Sequence, residues 1–245
     1  MKRYDVLTLF PEIVLAPLRG SIVGRAQEKG LLETRVINFR EYAQDKHRIV
    51  DDLPFGGGPG MVLKPEPIFA AVWDCLREGS KARVILMSPA GRLFDQEAAK
   101  ALASEDHLIF ICGRYKGVDE RVQEALATDE ISIGDYVLSG GELPALVVIE
   151  ALVRLIPGVL GDEDSARGDS FYEGILDHPH YTRPALFEGM EVPSILVSGH
   201  HEQIRRWRRK EALRRTRKRR PDLLREAALN EEDEVLLQEI EREES

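Results

Sequence analysis

The chain has 245 residues, of which 43% are hydrophobic and 31% charged, with a formal net charge of −9. This composition is typical of a globular protein that needs neither disulfides nor a membrane. No apolar run reaches the roughly 20 residues of a membrane span, and no cleavable signal peptide is present, so we expect a cytoplasmic protein.

Strand-like and helix-like segments alternate through the first 160 residues. The predicted strands cover residues 6–10, 34–39, 84–88, 108–113 and 131–133. The predicted helices cover residues 13–29, 66–78, 95–104, 119–126 and 144–156. This alternation predicts an α/β fold with a parallel sheet flanked by helices.

Three glycine-bearing loops follow predicted strands, at residues 88–91, 113–117 and 134–141. Ligands of parallel sheets bind at the carboxyl ends of the strands, so these loops are expected to form one composite pocket. No dinucleotide fingerprint and no Walker P-loop is present, which favours a ligand such as an adenosine-containing molecule held by backbone groups. Residues 50–60, rich in Gly and Pro, predict a mobile loop without regular structure.

The segment 131–161 combines a strand, a glycine turn and an almost wholly apolar helix. Gly140 and Gly141 can adopt positive φ and let a ligand approach the backbone. From residue 143 to 156 only Glu150 and Arg154 are charged, so we expect a helix buried on nearly all sides. Arg154 is equally compatible with an i,i+4 pair to Glu150 and with a function.

Cysteine and histidine content argues against a metal centre. Cys75 and Cys112 are isolated in apolar segments and are expected in the core. The histidine pairs at 178 and 180 and at 200 and 201 lack further ligands at suitable spacing, so no metal site is expected.

Composition changes after residue 160, where residues 161–174 are polar and predict a flexible interdomain linker. We assign residues 1–160 to the ligand-binding domain and residues 175–245 to a small, mainly helical domain. In the latter we predict a short strand at 194–198 and helices at 200–219, 222–229 and 231–244. Pro221 is expected to end the first of these helices, and Asn230 to cap the last.

Charge is segregated within this second domain. Residues 205–220 contain eleven Lys or Arg and one Glu, so the rest of the chain carries −19. Residues 222–245 contain ten acidic and two basic residues. Local binding of a polyanion by the basic helix is the favoured interpretation; the alternative is a helix compensated by the acidic tail.

Five ordered motifs carry a specific resemblance. They are GGGPGM at 56–61, CGRYKGVDERV at 112–122, SIGDYVLSGGELPA at 132–145, IPGVLG at 156–161 and DHPHYTRP at 177–184. The chain resembles the bacterial tRNA (guanine-N1)-methyltransferase family over nearly its whole length.

The resemblance implies a SPOUT-class homodimer whose parallel sheet contains a deep trefoil knot and binds bent S-adenosyl-L-methionine as methyl donor. It maps the donor pocket onto Ser88, Pro89, Gly91, Gly113, Arg114, Tyr115, Ile133, Gly134, Asp135, Tyr136, Val137, Leu138, Gly140, Gly141 and Pro144.

The resemblance also implies the acceptor, N1 of guanine 37 beside the tRNA anticodon. Asp169 matches the general base, contributed by the partner subunit, and Arg154 matches the arginine that steadies the guanine and its developing charge. Guanine N1 carries a proton, so a positioned base is chemically required. Lys116 stands where some relatives carry a glutamate linked to magnesium-dependent transfer, and a cation cannot ligate magnesium. Dependence on magnesium therefore stays open.

Contacts to tRNA are expected from the basic helix and from two loops: Asp51, His180, Tyr181, Arg183, Arg205, Arg206, Arg208 and Arg209. Trp207 is expected to pack rather than to stack on a base. Two other functions remain open: a related SPOUT RNA methyltransferase acting on a different nucleotide, and an RNA-binding module without turnover.

Overall fold

A computed structural model describes residues 1–77, 81–161 and 168–244. The chain divides into two compact units, Met1–Gly161 and Asp162–Ser245. Residues 162–167 of the predicted linker lie outside the described residues, as does the predicted end of a helix at residue 78.

A five-stranded sheet forms the centre of the first unit. Its strands are β1 (Lys2–Thr8), β2 (Leu32–Asn38), β5 (Arg83–Leu93), β6 (His107–Cys112) and β7 (Asp129–Ser132). They are ordered β2-β1-β6-β5-β7, and every neighbouring pair is parallel. The predicted parallel sheet is confirmed.

Six α-helices accompany this sheet in the described part of the unit. They are α1 (Pro11–Arg19), α2 (Ser21–Glu28), α3 (Pro65–Leu76), α4 (Gln96–Ala103), α5 (Glu120–Ala125) and α6 (Glu142–Val153). The core residues of α1, α2, α4 and α6 belong to one buried apolar cluster, and those of α3 and α5 belong to another. Because helices cover both faces, every residue of β6 is buried, as expected for a parallel sheet.

The single helix predicted at 13–29 is wrong, because the chain breaks at Gly20 into α1 and α2. Gly20 is extended (φ −100°, ψ 170°), which ends the helical hydrogen bonding. A Cβ on Gly24 would lie 2.3 Å from the carbonyl oxygen of Arg19, so the turn between the helices leaves no room for a side chain there.

The loop predicted at 50–60 is partly regular. Strand β3 (Asp51–Asp52) pairs antiparallel with β4 (Val62–Leu63), so the expectation of no regular structure is wrong at its start. Between the two strands the chain carries four glycines at positive φ, and the side chain of Phe55 is fully exposed.

Among its described residues the second unit contains a short hairpin and three α-helices. The elements are β8 (Leu186–Phe187), β9 (Met190–Glu191), α7 (His201–Arg219), α8 (Pro221–Glu226) and α9 (Glu231–Glu244). Its small core includes Leu213 of α7 and Leu236 and Ile240 of α9. The end of α7 before Pro221 is confirmed. The predicted cap is confirmed too, since Oδ1 of Asn230 accepts from the Asp233 backbone N–H at 2.9 Å.

The strand predicted at 194–198 is wrong, because Ser194–Val197 forms a 3₁₀ helix. Its N–H groups find local partners, with Leu196 donating to the carbonyl of Pro193 and Ser198 to that of Ile195. The segment therefore needs no neighbouring strand. None of the described helices combines the length and apolar character that crossing a membrane requires.

Candidate functional site

A cavity of about 530 Å³ opens at the carboxyl ends of β5, β6 and β7. These strands are neighbours in the sheet, so the three glycine-bearing loops that follow them converge, as sequence reasoning predicted. Of the fifteen predicted donor-pocket residues, thirteen line this cavity: Ser88, Pro89, Gly113, Arg114, Tyr115, Ile133, Gly134, Tyr136, Val137, Leu138, Gly140, Gly141 and Pro144.

The other two predicted pocket residues, Gly91 and Asp135, lie outside the cavity wall. Asp135 is exposed to solvent. Gly91 instead lies against β7, where a Cβ would come within 2.4 Å of the Glu130 carbonyl carbon and the Ile131 nitrogen. Because Gly91 has no side chain, the backbones of β5 and β7 can approach closely at this point.

Gly140 and Gly141 do not use the positive φ that is open to glycine. Gly141 has φ −82° as the residue before α6, and Gly140 is not among the positive-φ glycines. Neighbouring protein atoms crowd both positions, side-chain atoms at Gly140 and backbone atoms at Gly141. A Cβ on Gly140 would lie 2.4 Å from Nε of Arg114, and one on Gly141 would lie 2.8 Å from Cα of Cys112.

A polar network beneath the cavity depends on Glu142, which sequence reasoning missed. Glu142 is buried at the start of α6, accepts a 2.7 Å hydrogen bond from the Thr8 hydroxyl and pairs with Nε of Arg114 at 3.3 Å. The Arg114 guanidinium also lies 4.2 Å from the ring centroid of Phe10. The sequence contained one signal for this role: Glu142 is a charged residue between the Gly-Gly turn and an apolar helix. A charge at such a position is buried only with a partner.

Burial also governs the chemistry of Cys112. Desolvation raises the pKa of this thiol well above its usual range, and the negative charge of Glu142 adds to the effect. Cys75 is buried as well, so the prediction that both cysteines are core residues is confirmed.

Replacing Glu142 with Gln is expected to lower the free energy of unfolding by about 2 kcal/mol, because the Arg114 cation loses its buried counter-charge. Urea denaturation followed by circular dichroism measures this loss. Glu124→Gln, an exposed carboxylate on α5, is the control and should change stability by less than about 0.5 kcal/mol. Equal effects at the two positions would contradict a special role for Glu142.

The turn at 113–117 links the cavity to the glycine-rich loop at 53–61. Tyr115 adopts φ 61°, a left-handed conformation that is uncommon outside glycine and is often found at functional sites. The Lys116 N–H donates to the carbonyl of Met61 at 3.0 Å. Six further polar residues that were not predicted to bind the donor line the cavity: Lys116, Glu120, Gln123, Glu130, Ser132 and Ser139.

Helix α6 is not buried on nearly all sides as predicted. Leu143, Val147 and Glu150 are exposed, and their spacing places them on one face of the helix. Arg154 immediately follows α6, is half-buried and continues the same face. This face of α6 therefore presents Leu143 and Val147 to solvent, and Arg154 lies at the carboxyl-terminal end of the helix.

The second unit brings together four of the predicted tRNA-contacting residues. A cavity of about 380 Å³ is lined by His180, Tyr181, Arg183 and Arg208. The ring of Trp207 lies 6.5 Å from that of Tyr181 and 6.4 Å from that of His178 between centroids. Packing of this tryptophan in place of stacking on a base stays a prediction. Asp51, by contrast, belongs to β3 of the first unit.

Asp169 lines a second cavity of about 780 Å³ in this unit. It is exposed, and Asp177, His180 and Arg208 lie in the same wall. Asp177, His178 and His180 each offer one ligand atom, and these atoms lie within 4.8 Å of one another, although no metal site was expected there. Oδ2 of Asp177 already lies 2.6 Å from Nε2 of His180.

The basic helix α7 does not present its predicted contacts equally. Nη2 of Arg205 lies 2.8 Å from Glu232, and Nε of Arg209 lies 2.7 Å from Asp233. Arg206 bonds to Glu239 and is the main reason that the pKa of that carboxyl falls to about 2. For these three arginines the structure contains pairing with carboxylates of the acidic tail, and their contact with tRNA phosphates stays a prediction.

Arg208 differs from these three arginines. It is exposed and makes no ion pair with any residue that the structure describes. It alone of the four predicted α7 arginines is available to a phosphate without breaking an existing pair.

Comparison with known proteins identifies related sequences over the whole chain. The profile of a family described as tRNA (Guanine-1)-methyltransferase TrmD matches residues 1–226. A protein of Moorella thermoacetica is 60% identical over 244 residues, and one of Dictyoglomus turgidum is 58% identical over 243 residues, each match covering 99% of this chain and 98% of the relative. Both relatives bear the name tRNA (guanine-N(1)-)-methyltransferase.

Proposed function

The chain belongs to the tRNA (guanine-1)-methyltransferase family, and from this premise we propose how its residues methylate N1 of guanine in tRNA. The proposed acceptor is guanine 37, beside the anticodon, and the proposed donor is S-adenosyl-L-methionine. The observation that carries the proposal is the convergence of thirteen of the fifteen expected donor residues on one cavity at the carboxyl ends of three adjacent strands.

The cavity suits such a donor in size and chemistry. Its volume of about 530 Å³ lies within the range of about 300–1,000 Å³ usual for small-molecule sites. Its walls combine glycine backbone with apolar side chains, and the Arg114 pair with Glu142 holds one polar group rigidly. When bound, the donor supplies a methyl group on a sulfonium sulfur, which is open to attack by a nitrogen lone pair.

Asp169 is the proposed general base. Attack by guanine N1 requires loss of its proton, and a carboxylate within hydrogen-bond distance accepts it. Its exposed position on a cavity wall with Arg208 supports access to an RNA substrate. Arg154 is the proposed partner of the O6 oxygen, because a guanidinium stabilises the negative charge that develops as N1 loses its proton.

We propose that the enzyme is a homodimer in which Asp169 serves the guanine held by the partner chain. The exposed apolar side chains of Leu143 and Val147 support an interface on α6, because burying them in a dimer is favourable. Arg154 continues this face, so the same interface would bring a second chain close to the acceptor site.

A deep trefoil knot in the sheet is proposed on the family resemblance. The close packing of Gly91 against the β7 backbone supports a tight crossing of chain segments at this point. Magnesium stays an open part of the proposal, because Lys116 supplies no metal ligand.

Purified protein and labelled donor test this function on a tRNA transcript that carries guanine at position 37. Transfer should be confined to N1 of that guanine, and the matched adenine-37 transcript should accept no methyl group. Equal methylation of both transcripts would contradict the proposed specificity. A methyl group mapped to another nucleotide would instead identify a SPOUT enzyme with a different target.

A further inference from the structure

Helix α9 lies along one side of α7, and its carboxylates pair with the cations on that side. Six cations of α7 pair with carboxylates of α9: Arg205, Arg206, Arg209, Lys210, Arg214 and Arg217. Glu239 contacts both Arg206 and Lys210, and Glu243 contacts both Lys210 and Arg214. Each of these two carboxylates therefore bridges two cations that lie one helical turn apart on α7.

The paired cations occupy a defined part of the helix circumference. Residues 206, 210, 214 and 217 recur every three or four positions and so share one face. Arg208, Arg215 and Arg219 recur at seven and four positions and share a different face. Within the described chain Arg208 and Arg219 make no ion pair, and Arg215 donates only to the backbone carbonyl of Asp177 at 3.3 Å.

Apolar packing, more than charge, keeps α9 in place. Exposed ion pairs contribute little individually, because water and salt screen them. Leu236 and Ile240 of α9 are fully buried in one cluster with Leu213 of α7. A short connection from α8 also tethers α9, which keeps its carboxylates at high effective concentration beside α7.

We propose that α9 is an anionic shield that confines RNA to the Arg208, Arg215 and Arg219 face of α7. A phosphate can reach the Arg206 side only by displacing a tethered carboxylate, whereas Arg208 binds one without competition. The open face includes Arg208, which lines the cavity with His180 and Tyr181. The shield thereby suppresses sequence-independent binding and favours one orientation of the RNA; this inference rests on the proposed tRNA-binding role of α7.

The double variant Glu239→Gln and Glu243→Gln tests the shield with a short labelled oligouridylate as the probe. Freeing about two cations should tighten binding about tenfold at low salt and steepen the log–log salt dependence by about 1–2. Glu231→Gln with Glu234→Gln is the matched control, because both are exposed on α9 and pair with no described cation of α7. Equal affinities of the two double variants would overturn the proposal.

A second pair of variants leaves α9 intact and guards against misfolding. Lys210→Gln with Arg214→Gln removes shielded cations and should leave oligouridylate affinity within about twofold of wild type, whereas Arg208→Gln with Arg219→Gln should weaken it about tenfold. Equal losses in both would also overturn the shield. Methylation of tRNA by the wild-type protein is measured in parallel. Its absence would refute the proposed function without altering what the oligouridylate affinities say about α9.

Discussion

Asp169→Asn is expected to lower the single-turnover rate of methyl transfer about a thousandfold, while the affinity for S-adenosyl-L-methionine stays within about twofold. The side chain keeps its size but cannot accept the N1 proton, and a positioned base contributes roughly 10²- to 10⁴-fold. Rapid-quench assays with labelled donor measure the rate, and calorimetry measures donor binding. Asp169→Glu retains a carboxylate and should recover part of the rate. An Asn variant with near wild-type turnover would remove Asp169 from the role of base.

Mixing variants tests whether Asp169 acts across a dimer. If the base and Arg154 come from different chains, a mixed dimer of Asp169→Asn with Arg154→Ala contains one intact site. After co-refolding at equal amounts, about a quarter of wild-type sites should be active, because about half of the dimers are mixed. If both residues act within one chain, the mixture should stay as inactive as either variant alone. That result would contradict a site shared between the two chains, but it would leave Asp169 as the proposed general base.

Gly91→Ala is expected to destabilise the first unit by about 3 kcal/mol or more, or to prevent its folding. The new Cβ would lie 2.4–2.5 Å from backbone atoms of Glu130 and Ile131, and backbone atoms cannot rotate away as a side chain can. Relief would require β5 and β7 to separate, although both contribute to the donor cavity. Donor affinity should fall together with stability.

Chemical denaturation and donor titration measure both effects of Gly91→Ala. Gly161→Ala is the matched control, because no atom of the described residues lies within 4 Å of its added Cβ and its φ is not in the left-handed region. It should unfold within about 0.5 kcal/mol of wild type. A stable Gly91→Ala protein with normal donor binding would show that β5 and β7 can part without consequence.

Local sequence patterns predicted much of the secondary structure for identifiable reasons. Buried strands such as β6 are short apolar runs bounded by turn residues, and that pattern depends only on neighbouring residues. Asn230 was recognised as a cap because its side chain bonds three residues ahead. The errors arose where another element decides the conformation, as at Gly24, which has no room for a side chain beside Arg19.

The candidate site also combines features that neighbouring residues predict with features that depend on distant residues. The loops at 88–91, 113–117 and 134–141 follow strands, so their convergence could be expected from the rule for parallel sheets. The reason for glycine at positions 91, 140 and 141 could not be predicted, because the atoms that exclude a Cβ there belong to distant segments. Glu142 was missed because its partners, Thr8 and Arg114, lie 134 and 28 residues away.

The sequence alone determined the alternation of strands and helices, the capping of α9 and the motifs that identify the family, because each depends on residues close together in the chain. Only the tertiary structure decided which cations of α7 stay available to RNA. Arg206 and Arg208 lie in the same basic run, yet the packing of Leu236 and Ile240 brings Glu239 to Arg206 and no described carboxylate to Arg208. The net charge of a sequence counts every ionised residue, whereas the binding of RNA depends on which cations have no ion pair in the folded protein.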